Sequence, residues 1–207
     1  MYTLAAGASG VGVVAFPQAA SAKIVYTPAD VRIVGTYNLD LNHDGITDFS
    51  LWKHYFKCCP YDGVSLLGFT PKNNSNAVVS GGSAWAAALP KGARVGSTRV
   101  FDATSGYMAI VGHDYGRLYG GGPWTGNIVA YLGLKFQIKG KTHYGWARLH
   151  VVAYLTGKVE HPLIKARLTG YAYETIPNKA IITGKTEGLN GFAEKPATLG
   201  RLALGRK

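Results

Sequence analysis

Cysteine is scarce in this 207-residue chain, since only Cys58 and Cys59 occur and they are adjacent. Neighbouring cysteines rarely bond to each other without backbone strain, so the chain is not a disulfide-stapled scaffold. No C-x-x-C pair and no histidines at metal-ligand spacing accompany them, which argues against a zinc site. The two sulfur atoms are either buried thiols or a vicinal disulfide, and the sequence leaves both open.

Long stretches rich in Ala, Leu, Glu and Lys, which are typical of helices, are also missing. Glycine is instead abundant at 28 residues, tyrosine occurs 13 times, and charged residues make up only 16% of the chain. Short apolar and aromatic runs separated by turn formers indicate strands joined by tight turns. Because no internal repeat favours a propeller, the sequence predicts an all-β fold, a β-sandwich or jelly-roll-like domain with short strands and long loops.

The clearest strand signal runs from Tyr131 to Ile138, where every second residue is a large apolar one. Lys139-Gly140 then provides a turn, and residues Thr142 to Val152 return as a partner, so this region is predicted to be a β-hairpin. The alanine-rich segment from Ser83 to Leu89 is different, and it predicts one or two turns of helix before Pro90.

Acidic residues are few, because 11 Asp and Glu stand against 22 Lys and Arg and give a net charge of +11. The basic residues are spread along the chain without a Lys or Arg run. A diffuse positive surface favours polyanions such as acidic polysaccharide. No nucleic-acid-binding motif is present, so no DNA or RNA partner is expected. No transmembrane segment is predicted either.

Catalytic motifs are sparse as well. The mature part of the chain has no G-x-S-x-G elbow for a nucleophilic serine. A glycoside hydrolase needs two facing carboxylates, and Asp114 with either Asp102 or Glu174 is the pairing that this alternative would use. His113 and His143 each stand alone, which is more typical of structural histidines. The sequence therefore favours a protein that is not an enzyme, with a glycoside hydrolase as a lesser alternative.

The most informative stretch begins at Asp40. Oxygen-bearing side chains fall at its positions 1, 3, 5 and 9, and a glycine, Gly45, stands at position 6. Hard cations such as Ca²⁺ bind six to eight oxygen atoms, and a short loop supplies them by wrapping around the ion. Gly45 permits the sharp reversal, which turns a backbone carbonyl toward the ion. The predicted Ca²⁺ ligands are Asp40, Asn42, Asp44, the carbonyl of Ile46, and Asp48.

This loop is not an EF-hand, because position 12 is Leu51 where an EF-hand has a bidentate glutamate. The pattern D-x-[DN]-x-D-G-x-x-D, followed directly by a strand from Phe49, resembles the calcium loops of integrin-type propeller repeats and related secreted β-proteins. The resemblance covers about ten residues. It implies a structural ion rather than a catalytic one. The alternative is a metal-free turn, since Asp, Asn and Gly are also the usual turn formers.

The two ends of the chain differ in composition from its middle. Residues 1–22 carry no charge, contain an apolar run and end in an A-x-A site, which together predict a secretory signal peptide cleaved before Lys23. The alternative is a buried N-terminal segment of the domain. Residues 23–184 are the predicted calcium-stabilised β-sandwich domain, and residues 185–207 are a predicted flexible basic tail.

The tail contains Glu194-Lys195-Pro196, a short apolar stretch interrupted by Arg201, and two terminal basic residues. It resembles a degenerate form of the bacterial PEP-CTERM sorting tail. The hairpin and the run from Leu168 to Asn178 are also similar to secreted bacterial proteins of unknown function that carry such tails. This resemblance implies secretion and a β-fold, and it supplies no activity. A disordered basic tail is the alternative.

A glycine-rich segment near the middle of the chain carries Tyr115, Tyr119 and Trp124, which are candidates for an exposed platform that stacks on sugar rings. The alternative places Trp124 in the core. We therefore expect a secreted, calcium-binding protein of the cell surface or extracellular matrix, structural and capable of self-association. A carbohydrate-binding module for acidic polysaccharide is the main alternative.

Overall fold

The computed structural model describes residues 23–57, 63–114, 117–154 and 164–187. These residues form thirteen strands and no helix, which confirms the all-β prediction. Accordingly, no helix long and apolar enough to cross a membrane occurs in this part of the chain. The predicted signal peptide, the Cys58-Cys59 pair, Tyr115 and residues 188–207 of the tail lie outside the described residues.

The strands are β1 (Ile24–Arg32), β2 (Thr36–Leu39), β3 (Phe49–Lys57), β4 (Gly63–Pro71), β5 (Ala77–Val79), β6 (Arg94–Val95), β7 (Phe101–Asp102), β8 (Gly106–Asp114), β9 (Arg117–Gly121), β10 (Gly126–Ile138), β11 (Lys141–Ala153), β12 (Ile164–Glu174) and β13 (Ile181–Ile182).

Two antiparallel sheets make up most of the described fold. The six-stranded sheet has the order β1-β12-β11-β10-β5-β7, and the five-stranded sheet has the order β2-β3-β4-β8-β9. Both sheets contribute apolar side chains to one main core, among them Leu51 and Phe69 from the five-stranded sheet and Leu132 and Leu149 from the six-stranded sheet. The arrangement is that of a β-sandwich, in which inward-facing residues alternate with outward-facing ones along each strand.

The six-stranded sheet is covered on its second face as well. Along β11, Ala147 and Leu149 belong to the main core, whereas Tyr144 and Trp146 belong to a second apolar cluster. Because successive side chains of a strand point to opposite faces, the second cluster lies on the outer face of this sheet. The two-stranded ribbon of β6 and β13 contributes Val95 and Ile181 to this cluster, so it shields part of the outer face from water.

The predicted hairpin is confirmed as β10 and β11, which pair continuously from Gly126 opposite Ala153 to Ile138 opposite Lys141. Lys139 and Gly140 form the turn with φ angles of 49° and 73°. Two consecutive positive φ angles are what a two-residue type I′ turn needs to match the twist of the strands.

The helical prediction for Ser83 to Leu89 is wrong. Gly82, Ser83 and Ala84 have positive φ angles, and Trp85 and Ala86 form isolated bridges to neighbouring chain segments. Alanine favours helices only weakly, so backbone pairing and burial within a sandwich outweigh its preference.

Candidate calcium centre and the surrounding surfaces

The predicted calcium loop connects β2 to β3 at one end of the five-stranded sheet. The two strands pair up to Leu39 and Phe49, and the N–H of Asp48 donates to the carbonyl of Leu39 over 2.9 Å. Leu41 is fully buried and anchors the first half of the loop in the main core. The loop is therefore fixed by the backbone pairing of β2 with β3 and by the buried side chain of Leu41.

Carboxylate oxygens organise the backbone of the loop. Asp40 accepts hydrogen bonds from the N–H groups of His43 at 2.7 Å and Gly45 at 2.8 Å. Asp44 accepts one from the N–H of Ile46 at 2.9 Å. Gly45 has a φ of +84°, as the predicted reversal requires, because side chains disfavour that region. These bonds fold the loop backbone around the Asp40 carboxylate.

Asn42 lies within this group with one half of its amide satisfied. Its Nδ2 donates to Asp44 Oδ2 over 2.8 Å. Its Oδ1 is inaccessible to solvent and has no hydrogen-bond partner among the described residues. Buried polar atoms without a partner are rare in folded proteins, and an amide oxygen is a good ligand for a hard cation.

Asp48 is the most buried of the predicted ligands, with 5% of its surface exposed. Burial, with smaller contributions from the negative charges of Asp40 and Asp44, raises the pKa of its carboxyl group from 3.8 to about 6. A hydrogen bond of 2.8 Å from the N–H of Leu41 to Oδ2 acts in the opposite direction. Three carboxylates that repel one another in a partly desolvated loop fit a divalent cation.

The donor set combines three carboxylates, one amide oxygen and one predicted backbone carbonyl. Ile46, which would supply the carbonyl, is 68% exposed at the outer turn of the loop. Within the described residues, no three His, Cys, Asp or Glu side chains form a metal-binding cluster by themselves. Asp40, Asp44 and Asp48 are thus not brought together as such a group in this structure, and the predicted set also needs the Asn42 amide and the Ile46 carbonyl. Oxygen donors of this kind fit Ca²⁺ rather than a soft transition metal.

The loop also contacts the opposite sheet. His43 Nε2 and Thr27 Oγ1 on β1 are 2.8 Å apart, and the His43 ring lies 5.8 Å from the ring of Tyr171 on β12. Burial raises the pKa of Tyr173, also on β12, and the Asp44 charge adds to this rise. The loop of the five-stranded sheet thus lies against β1, an edge strand of the six-stranded sheet, and against its neighbour β12.

The backbone at Asp48 ties the loop to a third element, the connection between β4 and β5. The carbonyl of Asp48 accepts from the N–H of Lys72 at 2.9 Å and from Asn76 Nδ2 at 3.1 Å. Asn76 is buried, and its Oδ1 accepts from the N–H of Gln137 on β10 over 3.2 Å. The candidate calcium centre therefore sits where three chain segments from both sheets meet.

The structure does not support the predicted aromatic platform. Trp124 is fully buried in the main core, and its Nε1 donates to the carbonyl of Ala86 over 3.1 Å. Tyr119 is 49% exposed on β9, and its ring covers Gly112 of the neighbouring strand β8. The prediction is wrong for Trp124, because the polar Nε1 finds a buried acceptor and the indole fills the core. Tyr115 lies outside the described residues.

An exposed aromatic row that the sequence reasoning did not use lies on the outer face of the five-stranded sheet. Trp52, His54 and Phe56 follow one another at alternate positions of β3, with ring centroids 5.1 Å and 6.1 Å apart. Tyr107 of β8 meets Trp52 edge-on at 5.8 Å. Gly68 makes room for Trp52, since a Cβ there would come 2.3 Å from the indole. The i, i+2, i+4 spacing was the available signal.

A basic groove forms a second feature that the sequence reasoning missed. It has a volume of about 640 Å³ and is open to solvent. Its basic lining residues are Arg32, Lys53, His150, Lys165 and Arg167. Apart from Lys165 and Arg167, these residues are widely separated along the chain, so no local run of basic residues reveals the groove.

The acids of the glycoside hydrolase alternative have local structural contacts. Asp102 Oδ1 accepts from the N–H and the hydroxyl of Thr104. Glu174 is buried, and its Oε1 accepts from the N–H of Ile176 at 3.1 Å. The Nδ1 of His143 is 2.9 Å from the Glu174 carbonyl oxygen. Each of these contacts holds a turn or a strand end.

Comparison of the chain with protein-family models, with curated proteins and with solved structures gave no match in any of the three. The functional proposal below therefore rests on the loop geometry and on the sequence pattern.

Proposed function

We propose that this protein is a secreted, calcium-stabilised β-sandwich that acts at the cell surface or in the extracellular matrix as a structural protein, without catalysis. The observation that carries the proposal is the loop from Asp40 to Asp48. There, the charges of Asp40 and Asp44 act on the buried carboxyl of Asp48, and the buried Oδ1 of Asn42 has no hydrogen-bond partner among the described residues.

The position of the loop supports a structural role for the ion. The loop contacts β1 through Thr27 and β12 through Tyr171, while its ends belong to β2 and β3. A bound Ca²⁺ would neutralise the repulsion among Asp40, Asp44 and Asp48. Neutralisation favours the compact loop, and the compact loop in turn holds the two sheets together at this end of the sandwich.

Secretion fits the same chemistry. The uncharged segment 1–22 has the pattern of a signal peptide. Extracellular calcium-binding modules operate with dissociation constants of about 10⁻⁴ to 10⁻³ M, so a single loop of modest affinity is filled outside the cell.

Self-association has support from the outer aromatic row. Phe56 is 55% exposed and Tyr107 is 38% exposed, and both stand on the face of a sheet that usually carries polar residues. Contiguous apolar surface of this kind is typical of interaction sites.

Thermal unfolding of the purified protein with calcium and with EDTA tests the proposal. We expect calcium to raise the melting temperature of the wild type, with a rise that grows with calcium concentration. Asp44→Ala should lower the melting temperature in calcium, where a ligand is lost. It should change it little in EDTA, because the loss of the hydrogen bonds from Ile46 and Asn42 is offset by relief of the charge repulsion with Asp48. Asp30→Ala, which removes an exposed acid outside the loop, is the matched control. Equal melting of the wild type in both buffers would refute the calcium-binding proposal.

A further inference from the structure

The basic groove lies where the chain passes from the six-stranded sheet to the five-stranded sheet, between β1 and β2. Arg32 is the last residue of β1, and the following residue, Ile33, donates its N–H to the carbonyl of Ala166 on β12 over 2.9 Å. Lys53 reaches the groove from β3 of the opposite sheet. The described walls of the groove therefore come from both sheets, and most of the described lining residues belong to strands.

Three of its basic side chains stand in one row across adjacent strands. Arg32 pairs with Arg167, and Arg167 pairs with His150, so β1, β12 and β11 each contribute one member. Directly paired residues point to the same face of a sheet, and neighbouring strands lie about 4.8 Å apart. The row thus presents basic groups at regular intervals over a span of roughly 10 Å.

Lys53 adds a partly desolvated cation beside this row. Its Nζ donates to the carbonyl of Ile164 over 3.3 Å. Burial lowers the pKa of Lys53, and the charge of Arg32 lowers it further. The two cations therefore repel each other, and an anion bound between them would relieve the repulsion.

Acidic groups are nearly absent from the described part of the groove. None of its described lining residues is Asp or Glu. Asp30, on the exposed side of β1, forms an ion pair with Arg167 at the rim. The described lining therefore carries a local excess of positive charge, on a protein with a net charge of +11.

We propose that this groove is a binding site for acidic polysaccharide, whose successive carboxylate or sulfate groups pair with the row of Arg32, Arg167 and His150 and with Lys53. A row of basic side chains at regular intervals matches a chain that carries charged groups at regular intervals. No Phe, Tyr or Trp is among the described lining residues. Single-stranded nucleic acids are bound largely by stacking of their bases on such rings, so the groove fits a ligand that binds through its charges alone.

This proposal is independent of the calcium loop, and the test keeps the two apart. Binding is measured in EDTA, which also prevents calcium from bridging carboxylates. The probes are polygalacturonate, which carries carboxylates, and heparin, which carries sulfates as well. Neutral dextran and a single-stranded DNA oligonucleotide are the comparison ligands.

Arg32→Gln with Arg167→Gln is the test variant, and Lys139→Gln with Lys141→Gln is the matched control. Both double variants lower the net charge by two, and the control residues lie at the far end of the β10–β11 hairpin. The test variant should bind polygalacturonate or heparin about tenfold more weakly, whereas the control should bind nearly as the wild type does. The slope of log Kd against log salt concentration should decrease by roughly one to two in the test variant, because two charged contacts are lost.

A variant expected to bind more tightly is also needed, because misfolding of the test variant would also weaken binding. Asp30→Asn removes the rim acid that pairs with Arg167, so it should tighten binding by about two- to fivefold, the range expected for an exposed ion pair. Equal losses in the test and control variants would overturn the proposal, because binding would then follow net charge alone. Tighter binding of the DNA oligonucleotide than of either polysaccharide would overturn it in favour of a nucleic-acid ligand. Binding of dextran as tight as that of polygalacturonate would overturn the role of the charges.

Discussion

Replacing Asp48 with asparagine should have opposite effects on stability in EDTA and in calcium. The Asp48 carboxyl is nearly fully buried, and its pKa is raised from 3.8 to about 6. At about 1.4 kcal/mol per pH unit, that difference corresponds to a destabilisation of about 3 kcal/mol when the group ionises in the metal-free protein. Asparagine cannot ionise, and its amide oxygen can still accept the hydrogen bond from the N–H of Leu41.

The sign of the pH dependence follows from the direction of the shift. The folded state holds the Asp48 proton more tightly than the unfolded state does, so metal-free wild type loses stability as the pH rises from about 4 to about 6. Below that window the two states bind the proton equally, and above it the full destabilisation is present. Asp48→Asn should therefore be more stable than wild type at pH 8 in EDTA, by up to about 3 kcal/mol, and nearly equal to it near pH 3.5.

Calcium should reverse this order. The ion stabilises ionised Asp48 in the wild type, whereas the asparagine variant lacks a carboxylate ligand and should show little calcium response. Urea unfolding at pH 8 measures the free energy of unfolding of the wild type and of Asp48→Asn, each in EDTA and in saturating calcium. A variant that is less stable than wild type in EDTA, or that keeps the full response to calcium, would refute the reasoning about Asp48.

Two further predictions concern the aromatic residues. Trp124→Ala should destabilise the fold by about 3–5 kcal/mol in chemical denaturation, because Trp124 is fully buried and its loss leaves a large cavity and an unpaired Ala86 carbonyl. A change below about 1 kcal/mol in the free energy of unfolding would contradict the burial of Trp124. Gly68→Ala should cost about 1–3 kcal/mol and alter the near-ultraviolet circular dichroism of Trp52, since the added Cβ would approach both the indole and the Gly106 carbonyl. Gly121→Ala, which meets nothing within 4 Å, is the matched control and should be nearly neutral.

Local patterns in the sequence predicted those parts of the fold that depend on neighbouring residues. The alternation from Tyr131 to Ile138 and the Lys139-Gly140 turn led to the observed hairpin, because strand period and turn chemistry are local properties. The spacing from Asp40 to Asp48 likewise predicted a polar loop with a reversal at Gly45, and the loop has that form. Calcium binding itself stays a prediction.

The direction of side chains in irregular segments was not predictable in the same way. Trp124 follows β9 outside any strand, so no alternation assigns it to a face, and its burial depends on the distant Ala86 carbonyl. The turn at Ser83 and Ala84 was missed for a related reason, since the backbone pairing of Trp85 and Ala86 with distant segments outweighs the helix preference of alanine.

The basic groove depends entirely on strand register. Arg32, His150 and Arg167 come from three strands, and a shift of one residue in any ladder would turn one of them to the opposite face. Register is determined by the packing of the whole core. The sequence alone therefore indicates a diffuse positive charge and does not predict that these three side chains form a row.

The calcium loop and the groove both contact the edge strand β1, the loop near the middle of the strand and the groove at its end. Thr27 of β1 contacts His43 of the loop, whereas Arg32 ends the strand at the groove. Beyond Arg32 the chain is held independently of the loop, because Ile33 bonds to Ala166 and the N–H of Lys53 donates to the Gly35 carbonyl over 2.9 Å. Removing calcium should therefore loosen the sheets near Thr27 while the backbone around Arg32 stays in place. This separation is the reason that binding of polysaccharide in EDTA reports on the groove, and melting in calcium reports on the loop.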